Sequence, residues 1–263
     1  MTQNSKNTIP KNILITGAST GIGKSLAIAY SKSNVNLFLC ARNQENLLQT
    51  KLACENLNAN VQIKILDVCN QLECKNWIDE IEKNYALDLV IANAGISAGT
   101  SKGTESFKQV QEIFDTNLYG VLNIIHPVID KMLMRKSGQI AIISSLAGFR
   151  GLPSSPAYSA SKSAVRVYSE ALRGNLAKYG IKVNAICPGY VKTNMTAKNN
   201  FYMPFLMPVE KASEIIVEQL EKNKSRIAFP FPLYFIVWLA TLISTKITDP
   251  IFAKLPSKKA LDQ

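Results

Sequence analysis

The chain has 263 residues, 47% of them hydrophobic and 19% charged, which excludes a disordered, collagen-like or coiled-coil chain and leaves enough length to bury a core without disulfides or a structural metal. Thirty basic residues against 19 acidic ones give a net charge of +11. That charge favours anionic partners such as nucleotides or acidic lipid, but the lysines are scattered and no basic run is interleaved with aromatics, so no nucleic-acid partner is expected.

Five cysteines, Cys40, Cys54, Cys69, Cys74 and Cys187, form no CxxC pair, which argues against a metal site and a disulfide framework. The polar start Met1 to Lys11 lacks the apolar stretch of a secretory signal. A cytoplasmic protein fits both observations.

Apolar runs of strand length alternate with amphipathic stretches of helix length, the rhythm of repeated βαβ units. Strands are predicted at 13–16, 35–40, 61–66, 89–92, 139–144, 182–187 and 226–229. The fold class is therefore α/β, a Rossmann-type doubly wound, seven-stranded parallel sheet with helices on both faces, in which ligands gather beyond the carboxyl ends of the strands. No linker, charge block or repeat divides residues 1–229, predicted as a single domain, and 230–263 reads as an apolar and basic C-terminal extension.

After the first predicted strand comes Thr16-Gly17-Ala18-Ser19-Thr20-Gly21-Ile22-Gly23, opening a helix. Three glycines there permit a tight bend and the approach of a pyrophosphate to backbone N–H groups at the helix N-terminus. The spacing is GxxxGxG, and its place at the first strand-to-helix junction is what points to a cofactor rather than a purely steric turn. In such folds an acidic residue about 20 positions further on holds the ribose 2′-hydroxyl of NAD. Here the second strand ends Leu39-Cys40-Ala41-Arg42-Asn43. With no carboxylate to repel a phosphate and Arg42 to contact one, the expected cofactor is NADP(H), with hydroxyls from Ser19 and Thr20; the alternative is that Arg42 is a solvated loop residue. Asp67-Val68 follows the third strand and is assigned to the adenine, although an aspartate there also serves as an ordinary helix cap. The lone His126, beside Pro127, is expected to be packed or capping.

After the fifth strand comes Ser144-Ser145 and then, within a predicted helix, Tyr158-Ser159-Ala160-Ser161-Lys162. Tyr158 and Lys162 are four apart and share a helical face. A phenol near pKa 10 is a poor acid at neutral pH, and a neighbouring ammonium is expected to lower that value, making Tyr158 a usable general acid. Ser145 is placed to hydrogen-bond a carbonyl oxygen as negative charge develops on it.

With the glycine turn, Asn93-Ala94-Gly95, Asn117, Ser145 with Tyr158 and Lys162, and Pro188-Gly189 followed by Thr193, residues 11–229 resemble the short-chain dehydrogenase/reductase family. The resemblance implies that Tyr158 transfers a proton, Ser145 positions the carbonyl, Lys162 binds the nicotinamide ribose, and Asn117 helps hold a water relay to that lysine. It also implies cofactor contacts from Gly17, Gly21, Ile22, Gly23, Asn93, Ala94 and Gly95, with Pro188, Gly189, Val191 and Thr193 around the nicotinamide carboxamide. The pair Ala41-Arg42 is similar to that of NADP-preferring members, although Thr20 stands where some of those carry a basic residue. A homo-oligomer, dimer or tetramer, formed through helices near 107–136 and 158–179, is implied by resemblance alone.

In that family the segment corresponding to about 193–208 is a lid over the substrate. Its methionines and aromatics suit an apolar pocket, so the expected substrate is a hydrophobic ketone or secondary alcohol of lipid, steroid or 3-oxoacyl type. Residues 228–243 carry no charge and lie between basic flanks. Two prolines are expected to delay the helix to Leu233, and a helix over 233–245 is about 20 Å long, too short for a bilayer core of about 30 Å. It is expected either to lie in a membrane interface, giving peripheral attachment, or to pack against the lid or a partner subunit. The alternative to a carbonyl reductase is a non-enzymatic NADP-binding regulator or membrane-surface scaffold, which an intact Ser145, Tyr158, Lys162 and Asn117 set disfavours.

Overall fold

The computed structural model describes residues 10–100, 103–256 and 258–261. Most of the polar start and the last two residues of the extension therefore lie outside the described residues.

The elements run β1 (Asn12–Thr16), α1 (Gly21–Tyr30), β2 (Asn36–Ala41), α2 (Gln44–Glu55), β3 (Asn60–Ile65), α3 (Gln71–Glu82), β4 (Leu89–Ala92), α4 (Phe107–Phe114), α5 (Gly120–Arg135), β5 (Gly138–Ile143), α6 (Pro156–Leu176), β6 (Ile181–Pro188), α7 (Asn194–Ala197), α8 (Val209–Glu221), β7 (Arg226–Phe229), α9 (Phe231–Leu242) and α10 (Thr245–Phe252). The seven strands pair in parallel in the order β3-β2-β1-β4-β5-β6-β7. Each predicted strand is present to within a residue at either end. The order reverses direction between β1 and β4, which opens a crevice at their carboxyl ends.

Strand side chains alternate between two buried layers. Ile13, Ile15, Leu37, Leu39 and Ile91 meet Leu26, Ala27, Leu47, Ile216 and Leu220 of α1, α2 and α8. Leu14, Phe38, Val90, Ile140 and Ile142 meet Trp77, Ile78, Ile124, Val128 and Val165 of α3, α5 and α6. Because both faces are covered, central strands such as β4 read as continuous apolar runs, whereas the edge strand β3 alternates polar and apolar residues. The lone His126 lies at an exposed position of α5, its Nε2 3.1 Å from the Tyr168 hydroxyl of α6.

The extension departs from its predicted form. The helix begins at Phe231, with Pro232 inside its first turn, because a proline there gives up an N–H that would have had no intrahelical partner. It stops at Leu242, where Ile243 is extended, and a second short helix, α10, follows. Leu233, Tyr234 and Val237 of α9 pack on Leu146, Ala185 and Cys187, whereas Phe231, Phe235, Ile236, Leu239 and Leu242 are exposed. Among the described residues no helix is long and apolar enough to cross a membrane. The chain beyond α9 returns to the body. Arg150 pairs with Asp249 of α10, the Gly99 amide donates to the Lys259 carbonyl at 2.8 Å, and the Leu261 amide donates to Gln109 Oε1 at 3.0 Å.

Candidate active site

The crevice at the sheet's carboxyl edge widens into a cavity of about 660 Å³ lined from Gly17 and Arg42 at one end to Tyr158, the lid and the C-terminal helices at the other. Gly17 adopts φ +64°, and a Cβ there would lie 2.9 Å from Ala94 Cα. At Gly23 a Cβ would fall 2.4 Å from the Gly17 carbonyl oxygen and 2.5 Å from Asn93 Nδ2. The turn is thus folded down onto β4 as closely as backbone allows. Asn93 fastens it there, its Nδ2 donating to the carbonyls of Thr16 at 2.9 Å and Gly17 at 3.2 Å, while the amides of Asn93 and Ala94 both donate to Thr16 Oγ1 at 3.0 Å. This close-packed turn, with the N-terminus of α1 behind it, is a cradle of the kind that holds a dinucleotide pyrophosphate.

Gly17, Ser19, Thr20, Gly21, Ile22, Arg42, Asp67, Val68, Asn93, Ala94 and Gly95 all line this end, and Tyr158, Lys162, Pro188, Gly189, Val191 and Thr193 continue the wall. Two expected residues do not face it. Gly23 lies behind the turn, where its missing side chain admits Gly17 and Asn93. Asn117 is fully buried in a π-helical turn between α4 and α5. Its Oδ1 accepts from the Ile96 amide at 2.8 Å, and its Nδ2 donates to the Ile96 carbonyl at 2.9 Å and to Ser161 Oγ at 3.1 Å. The amide thereby clamps the segment after β4 to α6. A Cβ on Gly95 would meet both Asn117 Oδ1, at 3.1 Å, and Lys162 Nζ, at 3.3 Å, so the two side chains flank the same glycine.

Arg42 and Asp67 face each other across the mouth of this end, 3.7 Å apart and well exposed. An exposed pair of this kind contributes at most about 1 kcal/mol. The guanidinium is therefore cheaply released to a phosphate.

At the far end β5 delivers Ser145 and α6 delivers Tyr158 and Lys162. The β5-to-α6 connection is held by Ser144 Oγ donating to the Lys162 carbonyl at 2.7 Å, a buried bond contributing about 1 kcal/mol net. Ser145 accepts from the Ala147 amide at 3.1 Å and donates to the Pro188 carbonyl at 3.5 Å. Lys162 Nζ donates to the Ile143 carbonyl at 2.9 Å and lies 5.9 Å from the centre of the Tyr158 ring. Burial pulls the Lys162 ammonium down to about 8. Burial also pushes the Tyr158 phenol above its usual value, with the Ser145 hydrogen bond acting the other way. The expectation that the lysine lowers the phenol's pKa is thus corrected for the protein alone. Desolvation dominates, and the Lys162 ammonium is directed at a strand carbonyl.

The segment 193–208 is pinned at its base by the Met207 amide donating to the Tyr190 carbonyl at 3.0 Å and the Lys192 amide donating to the Met207 carbonyl at 2.8 Å. Met195, Phe201, Tyr202 and Pro204 of this segment line the cavity. Sequence reasoning missed Tyr190, whose signal was its place directly after Pro188-Gly189. It also missed Leu233, Ile236 and Val237 of α9 and Ile251, Phe252, Leu255 and Lys258 beyond it, all of which line the same cavity. No local pattern marks the residues beyond α9, because chain reversal after α9 brings them there.

Comparison with known proteins agrees with this architecture. A family model described as short chain dehydrogenase matches residues 11–202. An uncharacterized oxidoreductase of Myxococcus xanthus (strain DK1622) is 33% identical over 246 residues, covering 93% of this chain and 97% of the relative. The 3-oxoacyl-(acyl-carrier-protein) reductase FabG of Rickettsia prowazekii (strain Madrid E) is 33% identical over 210 residues, 80% of this chain and 81% of that one. Among solved structures, a single-site variant of actinorhodin polyketide ketoreductase with NADPH superposes with a TM-score of 0.74 at 26% identity, covering 85% of this chain and 97% of that one. The chain belongs to the short-chain dehydrogenase family of oxidoreductases.

Proposed function

We propose that the chain is an NADP(H)-dependent carbonyl reductase or alcohol dehydrogenase acting on a hydrophobic ketone or secondary alcohol. The observation that carries this reading is the convergence of Ser145, Tyr158 and Lys162 on one wall of a cavity whose other end is a glycine cradle beside Arg42. Arg42, with no acid at the end of β2, supports NADP(H), as do the hydroxyls of Ser19 and Thr20. The actinorhodin ketoreductase described with NADPH is in keeping with that choice.

When bound, the cofactor supplies or accepts the hydride at the substrate carbon. The chain's own residues handle the oxygen. The Ser145 hydroxyl donates to the carbonyl oxygen as charge builds there, and Tyr158 transfers its phenolic proton to it. A raised phenol pKa keeps Tyr158 protonated at neutral pH, the form reduction needs, and Ser145, which acts to lower that pKa, favours the phenolate left behind. Lys162 binds the nicotinamide ribose, and Asn117 acts at a distance by holding Ile96 and Ser161 in place beside it. Pro188, Gly189, Val191 and Thr193 hold the carboxamide. Met195, Phe201, Leu233, Ile236 and Phe252 give the substrate an apolar seat.

The exposed apolar face of α9, with Lys246 and Lys254 following it, supports a peripheral membrane contact. Ile236 and Ile251 are both exposed and part of the cavity wall, so that face is continuous with the substrate's entrance. Flotation with anionic liposomes tests the contact, and protein that stays wholly in the soluble fraction at low salt contradicts it.

The test of the function is oxidation of NADPH and NADH across ketones graded by chain length and ring content. Turnover with NADPH on long or cyclic ketones, lost in Tyr158→Phe, is expected. A rate that Tyr158→Phe leaves undiminished removes Tyr158 from the mechanism, and cofactor binding without turnover of any carbonyl promotes the regulator reading.

A further inference from the structure

α9 carries no charged residue between Phe231 and Leu242, the composition of a helix surrounded by apolar material. The fold surrounds only part of it. Leu233, Tyr234 and Val237 meet the body and Ala240 alone is buried, while Phe231, Phe235 and Trp238 form an exposed aromatic row with ring centres 6.2 and 6.0 Å apart. α10 repeats the division. Thr248 is buried and Arg150 holds the helix, paired with Asp249 and lying 5.4 Å from the centre of the Phe252 ring, whereas Ile247 and Ile251 are exposed. Segment 193–208 adds Tyr202, Phe205 and Leu206, again exposed.

These surfaces meet at one place. Met195, Tyr202, Ile236, Ile251 and Leu255 are each exposed and each part of the cavity wall. Three separate stretches of chain therefore put large apolar side chains at the mouth, and the less exposed Leu233, Val237 and Phe252 continue the apolar wall within. The charge on the same stretches has one sign. Residues 192–208 and 230–256 carry Lys192, Lys198, Lys246 and Lys254, all exposed, against one carboxylate, Asp249, which Arg150 neutralises. Apolar side chains and lysines on one face match an anionic lipid surface, where lysine reaches the headgroups and Trp and Tyr lie at the boundary. A second copy of the chain would bring these lysines against each other, and any protein seated there would close the mouth. A bilayer covers the face and leaves the mouth opening onto a reservoir of apolar molecules.

We infer that the cavity opens directly into an anionic bilayer, and that the substrate is a membrane-dissolved lipid ketone that enters past Ile236 and Ile251 without passing through water. The product alcohol, still apolar, returns by the same mouth. This inference deepens the carbonyl-reductase reading and rests on it, and the experiment separates the two.

The full-length protein with NADPH is mixed with vesicles of phosphatidylcholine, or of phosphatidylcholine with phosphatidylglycerol, that carry pentadecan-2-one or a diazirine-bearing analogue of it. Partition is read by flotation, turnover by NADPH oxidation, and entry by mapping the photolabel. The double variants Phe231→Ser/Phe235→Ser and Lys246→Gln/Lys254→Gln are run alongside; none of these residues lines the cavity, and unchanged NADPH affinity shows that the variants fold. The aromatic pair is expected to lower partition onto the mixed vesicles about 10- to 100-fold. The lysine pair is expected to lower it about 10- to 30-fold there and to matter little on phosphatidylcholine alone. Reduction of vesicle-borne pentadecan-2-one should fall in step, while hexan-2-one in water keeps its kcat/KM. The photolabel should reach Leu233, Val237 or Phe252 in the unmodified protein and fade in both variants. Equal partition of the three proteins overturns the inference. So does reduction or labelling that persists at full level in variants that have left the vesicles, since the ketone then arrives through water. Unmodified protein that ignores the vesicles and forms a dimer that the aromatic pair splits makes the occupant a second copy, which also overturns it. If neither ketone is reduced but the label still reaches those walls from mixed vesicles, the reductase reading fails and the route from the bilayer stands. Absence of label overturns the route whatever the turnover.

Discussion

At the glycine-turn end of the cavity the walls are backbone, pressed together to the limit that Gly17 and Gly23 permit and tied by Asn93 to β4. At the other end they are side chains drawn from the lid, α9, α10 and residue 258, elements that reach the site from widely separated parts of the chain. The first end is a fixed shape that one kind of ligand fits. The second is assembled from exchangeable apolar surfaces on a tail that contacts the body at a few points, so it is where substrate choice can vary without disturbing the cofactor's cradle.

That contrast is broken most severely at the residue where the two ends meet. Tyr158→Phe is expected to lower kcat by about 10²- to 10⁴-fold while NADPH affinity, followed by fluorescence, stays near that of the unmodified protein. Next in size is Gly23→Ala, whose Cβ would have to displace the Gly17 carbonyl. Thermal unfolding should show a loss of about 1–3 kcal/mol, and cofactor affinity should fall with it; an unchanged melting temperature would mean that the turn is not the close-packed element described.

Arg42→Ala should cost NADPH about 10- to 100-fold in affinity and leave NADH almost unaffected. Equal losses for the two cofactors would make Arg42 the solvated loop residue of the alternative reading. A smaller and graded effect comes from pH. In the proposed mechanism Tyr158 must be protonated and Lys162 charged to bind the nicotinamide ribose; burial raises the pKa of the first and lowers that of the second to about 8. The rate of reduction should therefore be level in the neutral range and fall as pH rises through about 8, and the limb belongs to the lysine. A limb that stays in place in Lys162→Arg would assign it elsewhere.

The legibility of the chain follows the same division. The strands are readable because a sheet covered on both faces leaves uninterrupted apolar runs such as 89–92, and the cradle because close backbone approach leaves only glycine at 17 and 23. Ser145, Tyr158 and Lys162 are readable from one strand end and one helix face. Their electrostatics are not, since the direction of the Tyr158 shift depends on how completely the phenol is buried and on where the Lys162 ammonium points. The extension shows the limit most plainly. Its apolar character is evident, but the break at Ile243 and the return of Lys258 to Gly99 depend on contacts between distant parts of the chain that no local pattern encodes.

The most direct test of the account is a single turnover of NADPH deuterated at nicotinamide C4 with a long-chain ketone, analysed for label in the alcohol. Deuterium is expected on the carbinol carbon from one cofactor face only, with the transfer suppressed in Tyr158→Phe. Alcohol formed without label, or labelled alcohol formed as readily by Tyr158→Phe, would contradict it.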